Sequence, residues 1–373
     1  MPDLIVVGAG IVGLAHALAA ARRGRRVTVI DRDARANGAS IRNFGFVTVT
    51  GQQRGQVWDR ARRSAAIWRD IAAPAGIRVE QEGLLLAAQR PEAGDILDAF
   101  MASEMAEGCT RLSARQAAQL CPQIIAPEGA IHSTADLRVE SRIAIPRLAA
   151  WLAEQHNVSF RYGAAAVAVE TGAVTLADGS RITGDAIIVC PGDDLASLFP
   201  EIYAEAGITR CKLQMLRLAA PGWRLPAPVM GDLSMARYLG YAELPQAAPL
   251  KARLAREECD ALAWGIHLIA VQSADGTLVV GDSHEYGPTP DPFGHAEIDA
   301  AMLRQYAAVL GPPPAVVERW SGTFASASGH SIVRTPADGV RLVVVTSGTG
   351  ASTSFALAED VIGELFAIER TSI

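Results

Sequence analysis

Four apolar residues, Leu4-Ile5-Val6-Val7, open the chain and run straight into Gly8-Ala9-Gly10-Ile11-Val12-Gly13. An Ala/Leu-rich stretch then reaches Arg23 and Gly24, and a second apolar run follows, Val27-Thr28-Val29-Ile30. Short apolar runs bounded by glycine predict buried strands, and the helical spacing between them predicts a helix closed by Gly24. The opening is therefore a βαβ unit. Helical spacing returns over about 52–72, a strand is expected at Leu84-Leu85-Leu86, and 101–120 reads as helix with Ser113 as an N-cap.

Between 158 and 190 the pattern changes to short β-prone runs at 158–162, 166–169, 173–176 and 186–189, with Asp178-Gly179 as a hairpin turn. This predicts a β-meander feeding back into a buried parallel strand. After about Thr209, strand-like segments at 212–218, 265–271 and 277–280 alternate with proline-rich connections and predict an antiparallel sheet. The chain closes on a buried strand at 341–345, a glycine-rich turn at 347–350 and a helix over about 354–368.

Composition narrows the class. A chain of 373 residues, half of them hydrophobic, supports two to three domains. Its 34 basic and 40 acidic side chains give a net charge of −6 with no dense Lys/Arg tract, which argues against a nucleic-acid partner. The densest basic group, Arg22, Arg23, Arg25 and Arg26, falls at a helix end, where cations complement the dipole. Five scattered cysteines show no metal-binding spacing, so reduced thiols and no metal are expected. No apolar run reaches the roughly 18–20 residues of a membrane span. With no basic leader or cleavage site ahead of Leu4, a cytoplasmic location is expected.

The candidate chemistry begins at the glycines. Gly8, Gly10 and Gly13 have GxGxxG spacing, which provides a tight turn, a close backbone approach to pyrophosphate, and helix–strand packing. The N–H groups at Ile11 and Val12 then face a diphosphate. Asp31, at the end of the second strand with Arg32 beside it, is placed to accept ribose hydroxyls. An Asp there is commoner with NAD than with FAD, so an NAD(P)-linked dehydrogenase is one alternative.

The early fingerprint, the mid-chain meander and the turn Thr346-Ser347-Gly348-Thr349-Gly350-Ala351-Ser352 together resemble the FAD enzymes of the D-amino-acid, glycine and sarcosine oxidase family. The resemblance covers nearly the whole chain. It implies an α/β fold: a Rossmann-like FAD domain from 1–80, 140–210 and 330–373, and an antiparallel-sheet substrate domain from 81–139 and 211–329. It places Gly348, Thr349, Gly350, Ala351 and Ser352 against the flavin ring, where a helix dipole stabilises charge on the reduced ring. It also runs Ser40, Asn43, Phe44 and Gly45 along the flavin, sets Val167 at the adenine and adds Gly192 to the cofactor site. Gly281-Asp282-Ser283-His284 invites comparison with the flavin hydroxylases, but their Gly-Gln-Gly continuation is missing.

The resemblance further implies oxidation of a small amine at the carbon beside nitrogen, with His330, Tyr241 and His284 as pocket candidates. Sarcosine oxidases carry a flavin-side lysine in a stretch whose counterpart here, 278–284, has none, and no cysteine follows Cys259 for covalent attachment. Noncovalent FAD is expected, with oxygen or another electron acceptor. Glycine-oxidase-like members grip the substrate carboxylate with an arginine where this chain has Phe324. The wording around Ser40–Gly45, Ala135–Glu140 and the C-terminal turn resembles a branch associated with phosphonate breakdown. That branch implies an aminoalkylphosphonate such as N-alkylated 2-aminoethylphosphonate, with Arg42, Arg138 and Arg142 as anchors suited to three oxygens. Ion pairing explains the same arginines equally well. The residues are also compatible with a general amino-acid oxidase, a flavin monooxygenase or a non-catalytic FAD subunit.

Overall fold

The computed structural model describes residues 1–155 and 157–367. One large mixed sheet organises them. Its parallel part runs in the order Val158–Arg161, Val27–Ile30, Leu4–Val7, Ala186–Val189 and Val340–Ser347. These strands are short and mostly buried, as strands covered on both faces must be. Against them packs the helix Ile11–Ala21, which contacts the C-terminal helix Gly350–Ala367.

The sheet does not stop there. Val316–Arg334, 19 residues long, pairs antiparallel with Thr209–Leu218 along its first half and with Val340–Ser347 along its second, with a register break between Ser326 and Ser331. Beyond Thr209–Leu218 the order continues through Leu278–Gly281, Ile269–Gln272, Val229–Met230, Val79–Ala87 and Ala130–Val139 to Phe46–Val47. A single strand thus joins a parallel, Rossmann-like part to a mostly antiparallel part, in which Val229–Met230 pairs parallel with Val79–Ala87. One core draws mainly on 84–131 and 211–310, and two others serve the parallel part and its helices.

Several expected elements shift. The segment Val158–Arg161 belongs to the parallel sheet, and the meander is the three-stranded sheet Ala166–Glu170, Ala173–Leu176 and Arg181–Thr183. Its Asp178-Gly179 turn is present, with Gly179 at φ 80°. The expected helix at 101–120 breaks into the end of Pro91–Met101, a strand Cys109–Leu112 and a helix Ala114–Leu120. Ser113 caps that last helix in a reciprocal capping box with Gln116. The C-terminal helix starts at Gly350, four residues earlier than expected, so the glycine-rich turn flows into its first turn. Its expected last residue, Ile368, lies outside the described residues.

Candidate active site

The nucleotide turn is built as its glycines require. Gly8 has φ 105°, and a Cβ on it would lie 2.2 Å from Cys190 O, while one on Gly13 would lie 1.8 Å from Gly8 O. Any side chain would push the first helix off the sheet. The N-cap Gly10 offers that helix no side chain; Ser40 Oγ accepts the Ile11 N–H at 2.9 Å instead. Asp31 holds the turn with both oxygens, taking the Ala9 amide at 2.6 Å and the Asp33 amide at 2.8 Å.

Next to this turn opens a cavity of about 430 Å³. Its wall includes Ile11, Val12, Ser40, Asn43, Phe44 and Gly192, together with the whole run Gly348–Ser352. The C-terminal turn is held in place from two sides: Trp68 Nε1 donates to Ala351 O at 2.8 Å, and Ser352 Oγ accepts the Thr48 amide at 2.9 Å. Asn43 spends its side chain on the local loop, donating to Ala39 O and accepting from the Gly45 amide, both at 2.7 Å. It therefore shapes the wall, whereas the sequence suggested a donor to the cofactor. Gly45 is also structural, since a Cβ there would meet Val139 O at 1.8 Å. Arg32 pairs with Asp194, and Val167 is exposed on the three-stranded sheet; neither lines the cavity.

Of the expected substrate-side residues, His330, His284 and Arg42 line the same cavity. His330 Nε2 donates to Gln53 Oε1 at 2.8 Å, an orientation fixed because Gln53 Nε2 donates onward to Glu243. Its Nδ1 is a buried lone pair without a partner, and burial holds the imidazole pKa below its usual value. Three expected residues lie elsewhere. Tyr241 is fully buried against Phe100, with ring centroids 4.8 Å apart. Arg138 has no exposed surface and donates to Phe44 O, Gln272 O, Ser273 Oγ and Glu140, so none of its nitrogens is left for a ligand. Arg142 pairs with both oxygens of Glu318 and stacks on Trp320.

Two residues the sequence did not single out, Arg237 and His267, line the cavity near Asp282 and His284. Arg237, at the end of the short helix Asp232–Arg237, lines the cavity and donates to Tyr286 Oη at 3.0 Å. Among the described residues no carboxylate forms an ion pair with it or with Arg42. Beside it lie His267, Asp282 and His284, with His267 Nε2 3.2 Å and His284 Nε2 3.8 Å from the Asp282 carboxylate. Burial raises the Asp282 carboxyl to about 7, against the pull of Arg237. Burial, reinforced by Arg237, lowers His284 to about 3 and His267 well below its usual value, so both rings are neutral. A signal for the pair existed: Asp282 and His284 are two apart in sequence, between the strands Leu278–Gly281 and Glu285–Gly287. His267 reaches them only through the pairing of Ile269 with Gly281.

A glycine turn no side chain fits, a helix N-terminus whose Ile11 N–H is capped by Ser40 from a separate loop, and a cavity lined by Ile11 and Val12 suit a dinucleotide carrying a planar ring system. A family model described as FAD dependent oxidoreductase (DAO) matches residues 3–363. The chain belongs to this family. It is an FAD-dependent oxidoreductase. Among curated proteins it resembles an uncharacterized oxidoreductase, YurR, of Bacillus subtilis, at 27% identity over 219 residues, 52% of this chain. That match spans about half of the relative's length, 55%. Among solved structures, glycine oxidase from Geobacillus kaustophilus superposes with a TM-score of 0.76 at 17% identity, covering 99% of this chain and 95% of the other. Iminodiacetate oxidase from Chelativorans sp. BNC1 gives 0.72 at 19%, covering 98% and 95%. L-proline dehydrogenase from P. horikoshii gives 0.74 at 17%, covering 97% and 92%. These likenesses establish the fold. No described helix is long and apolar enough to cross a membrane.

Proposed function

We propose that the protein oxidises the C–N bond of a small amine bearing an anionic group, and that this group is a phosphonate. The observation that carries the reading is one cavity lined both by the expected cofactor-binding turns and by Arg42 and Arg237, two guanidinium groups that form no ion pair among the described residues. Bound FAD supplies the two-electron acceptor for hydride from the carbon beside nitrogen, and water hydrolyses the resulting imine to an aldehyde and an amine. The FAD would be held by the turn at Gly8–Gly13, by Asp31 and Ser40, and by the run Gly348–Ser352. Among the described residues no cysteine lines the cavity, which supports noncovalent attachment. We take oxygen as the acceptor. The cofactor part is assigned to 1–80, 140–210 and 330–373, and the substrate part to 81–139 and 211–329; 368–373 lie outside the described residues.

Phe324 supports the choice of phosphonate over carboxylate. It occupies the arginine position of the glycine-oxidase pattern and packs its ring against Gly348 and His284. Losing that bidentate fork removes on the order of 1.5–3 kcal/mol of carboxylate binding. Arginines elsewhere on the wall suit a larger, doubly charged group. A general amino-acid oxidase is the second reading, favoured by the glycine and iminodiacetate oxidases among the structural neighbours. Anaerobic flavin bleaching by N-methylglycine, glycine, D-alanine, 2-aminoethylphosphonate and its N-methyl form separates the two. Faster bleaching by the phosphonates is expected; faster bleaching by the carboxylates overturns the phosphonate assignment. A peroxide assay beside an artificial dye identifies the acceptor.

A further inference from the structure

On the cavity wall, three acceptors converge with no donor between them. His284 gives its Nδ1–H to Gly265 O at 3.0 Å. A carbonyl only accepts, so the His284 Nε2 facing Asp282 is a bare lone pair. His267 is in the same state: Ser234 donates its hydroxyl to Leu268 O at 2.9 Å, so its oxygen meets His267 Nδ1, at 3.5 Å, as an acceptor. His267 Nε2 thus turns a second lone pair toward the carboxylate. Asp282 is 5% exposed, and its Oδ1 lacks a hydrogen-bond partner despite the nearby ring. The three ligand atoms lie within 4.8 Å of one another. Two lone pairs and a carboxylate buried together are completed only by a proton or a cation.

We infer that this cluster seats the ammonium group of the substrate and that Asp282 accepts its proton, leaving the amine neutral for C–N oxidation. The inference rests on the amine-oxidation reading above. The seat lies beside Arg237, so the wall offers a cation site next to an anion site, the complement of a zwitterion. It is also linked to the C-terminal turn through Phe324. Phe324 meets His284 edge-on with centroids 6.4 Å apart, and its ring tip lies 3.2 Å from where a Cβ on Gly348 would stand. In the step, one N–H bond of the ammonium breaks, its proton passes to an Asp282 oxygen, and the electron pair stays on nitrogen for the later loss of hydride. The carboxyl returns the proton to water after product leaves.

A metal ion is the competing occupant, since two neutral imidazoles and a carboxylate are also a metal-ligand set. The Arg237 guanidinium, whose charge reaches Asp282, disfavours a divalent ion more than a singly charged ammonium. His267, His284, Arg237, Tyr238 and Cys211 are the titratable and charged groups that face Asp282.

The test uses the FAD-loaded enzyme and its Asp282→Asn and His284→Asn variants. It measures anaerobic flavin reduction at saturating N-methyl-2-aminoethylphosphonate from pH 6 to 10, with metal content determined in parallel. Methylphosphonate, which lacks the amine, is titrated by its effect on the flavin spectrum as a control of folding and of the anion site. In Asp282→Asn, reduction at pH 7 is expected to slow on the order of 100-fold and to recover toward pH 10, near the pKa of about 10 of a free alkylammonium. Methylphosphonate is expected to bind at least as tightly as to the wild type, since Arg237 is intact and a carboxylate near it has been removed. In His284→Asn, which keeps the carboxylate, a smaller loss of the same pH shape is expected. An unchanged rate, a loss equal at every pH, or a stoichiometric metal abolished by Asp282→Asn overturns the inference. If wild-type flavin is not reduced by any amine, the amine-oxidation reading itself fails, and that outcome is separate.

Discussion

Arg237 and Arg138 differ in what surrounds them, and so in what their loss does. Arg237 has one hydrogen bond, to Tyr286, and faces the cavity. Replacing it with Ala removes charge-assisted contacts of about 1.5–3 kcal/mol. The amine concentration for half-maximal flavin reduction is therefore expected to rise about 10- to 100-fold, while the saturating rate changes little, as for an anchor acting equally in ground and transition states. A fall in the saturating rate alone would contradict the anchoring role. Arg138, by contrast, is a buried tie between strands. Its removal leaves Glu140, still held by Ser273 Oγ, without its ion-pair partner and the Phe44 and Gln272 carbonyls without this donor, and is expected to cost about 3–5 kcal/mol in denaturant unfolding. If Arg138→Ala unfolded like the wild type and lost substrate affinity instead, the anchor would be Arg138 after all.

At the level of elements, the first helix and its glycine turn carry the cofactor, and Gly13→Ala tests this. The added methyl would sit 1.8 Å from Gly8 O, so the helix must shift. Purified Gly13→Ala is expected to show a much lower flavin-to-protein absorbance ratio than the wild type; full flavin occupancy would contradict the placement. This unit was legible in the sequence because apolar runs, glycine spacing and helix period agree within 30 residues. The long strand Val316–Arg334 was not. Its 322–331 stretch, Gly-Thr-Phe-Ala-Ser-Ala-Ser-Gly-His-Ser, has loop composition, and few of its residues are fully buried. It reads as a strand only once two partners supply its hydrogen bonds. The Arg237, His267 and Asp282 cluster was hidden for a related reason: it gathers a helix end and two neighbouring strand ends whose sequence separations form no motif. His284 and His330, named together as pocket candidates, do line one cavity, whereas Tyr241, named with them, is buried away from it.

The molecule as a whole holds several histidines buried and neutral, which sets its response to acid. His16, on the first helix, bonds Val12 O through Nδ1 at 2.7 Å, and burial lowers its pKa to about 4. Between 6.5 and about 4 the unfolded chain binds a proton that the folded chain refuses. The group thus contributes stability above 6.5 that declines as pH falls toward 4, at up to about 1.4 kcal/mol per pH unit. His284 acts in the same direction down to about 3. Asp282, raised to about 7, acts oppositely, stabilising at low pH and losing that contribution as pH rises to 7. Denaturant unfolding from pH 7 to 4 is expected to show falling stability, with a shallower slope in His16→Leu; identical slopes would contradict the burial of a neutral His16. The same fold brings the two ends of the chain to one cavity, where the proposed chemistry has an amine reduce bound FAD. Anaerobic titration of the purified yellow protein with N-methyl-2-aminoethylphosphonate tests this most directly. Full loss of the oxidised flavin band is expected at about one amine per flavin; a protein without flavin, or a flavin that no amine of the panel bleaches, would contradict it.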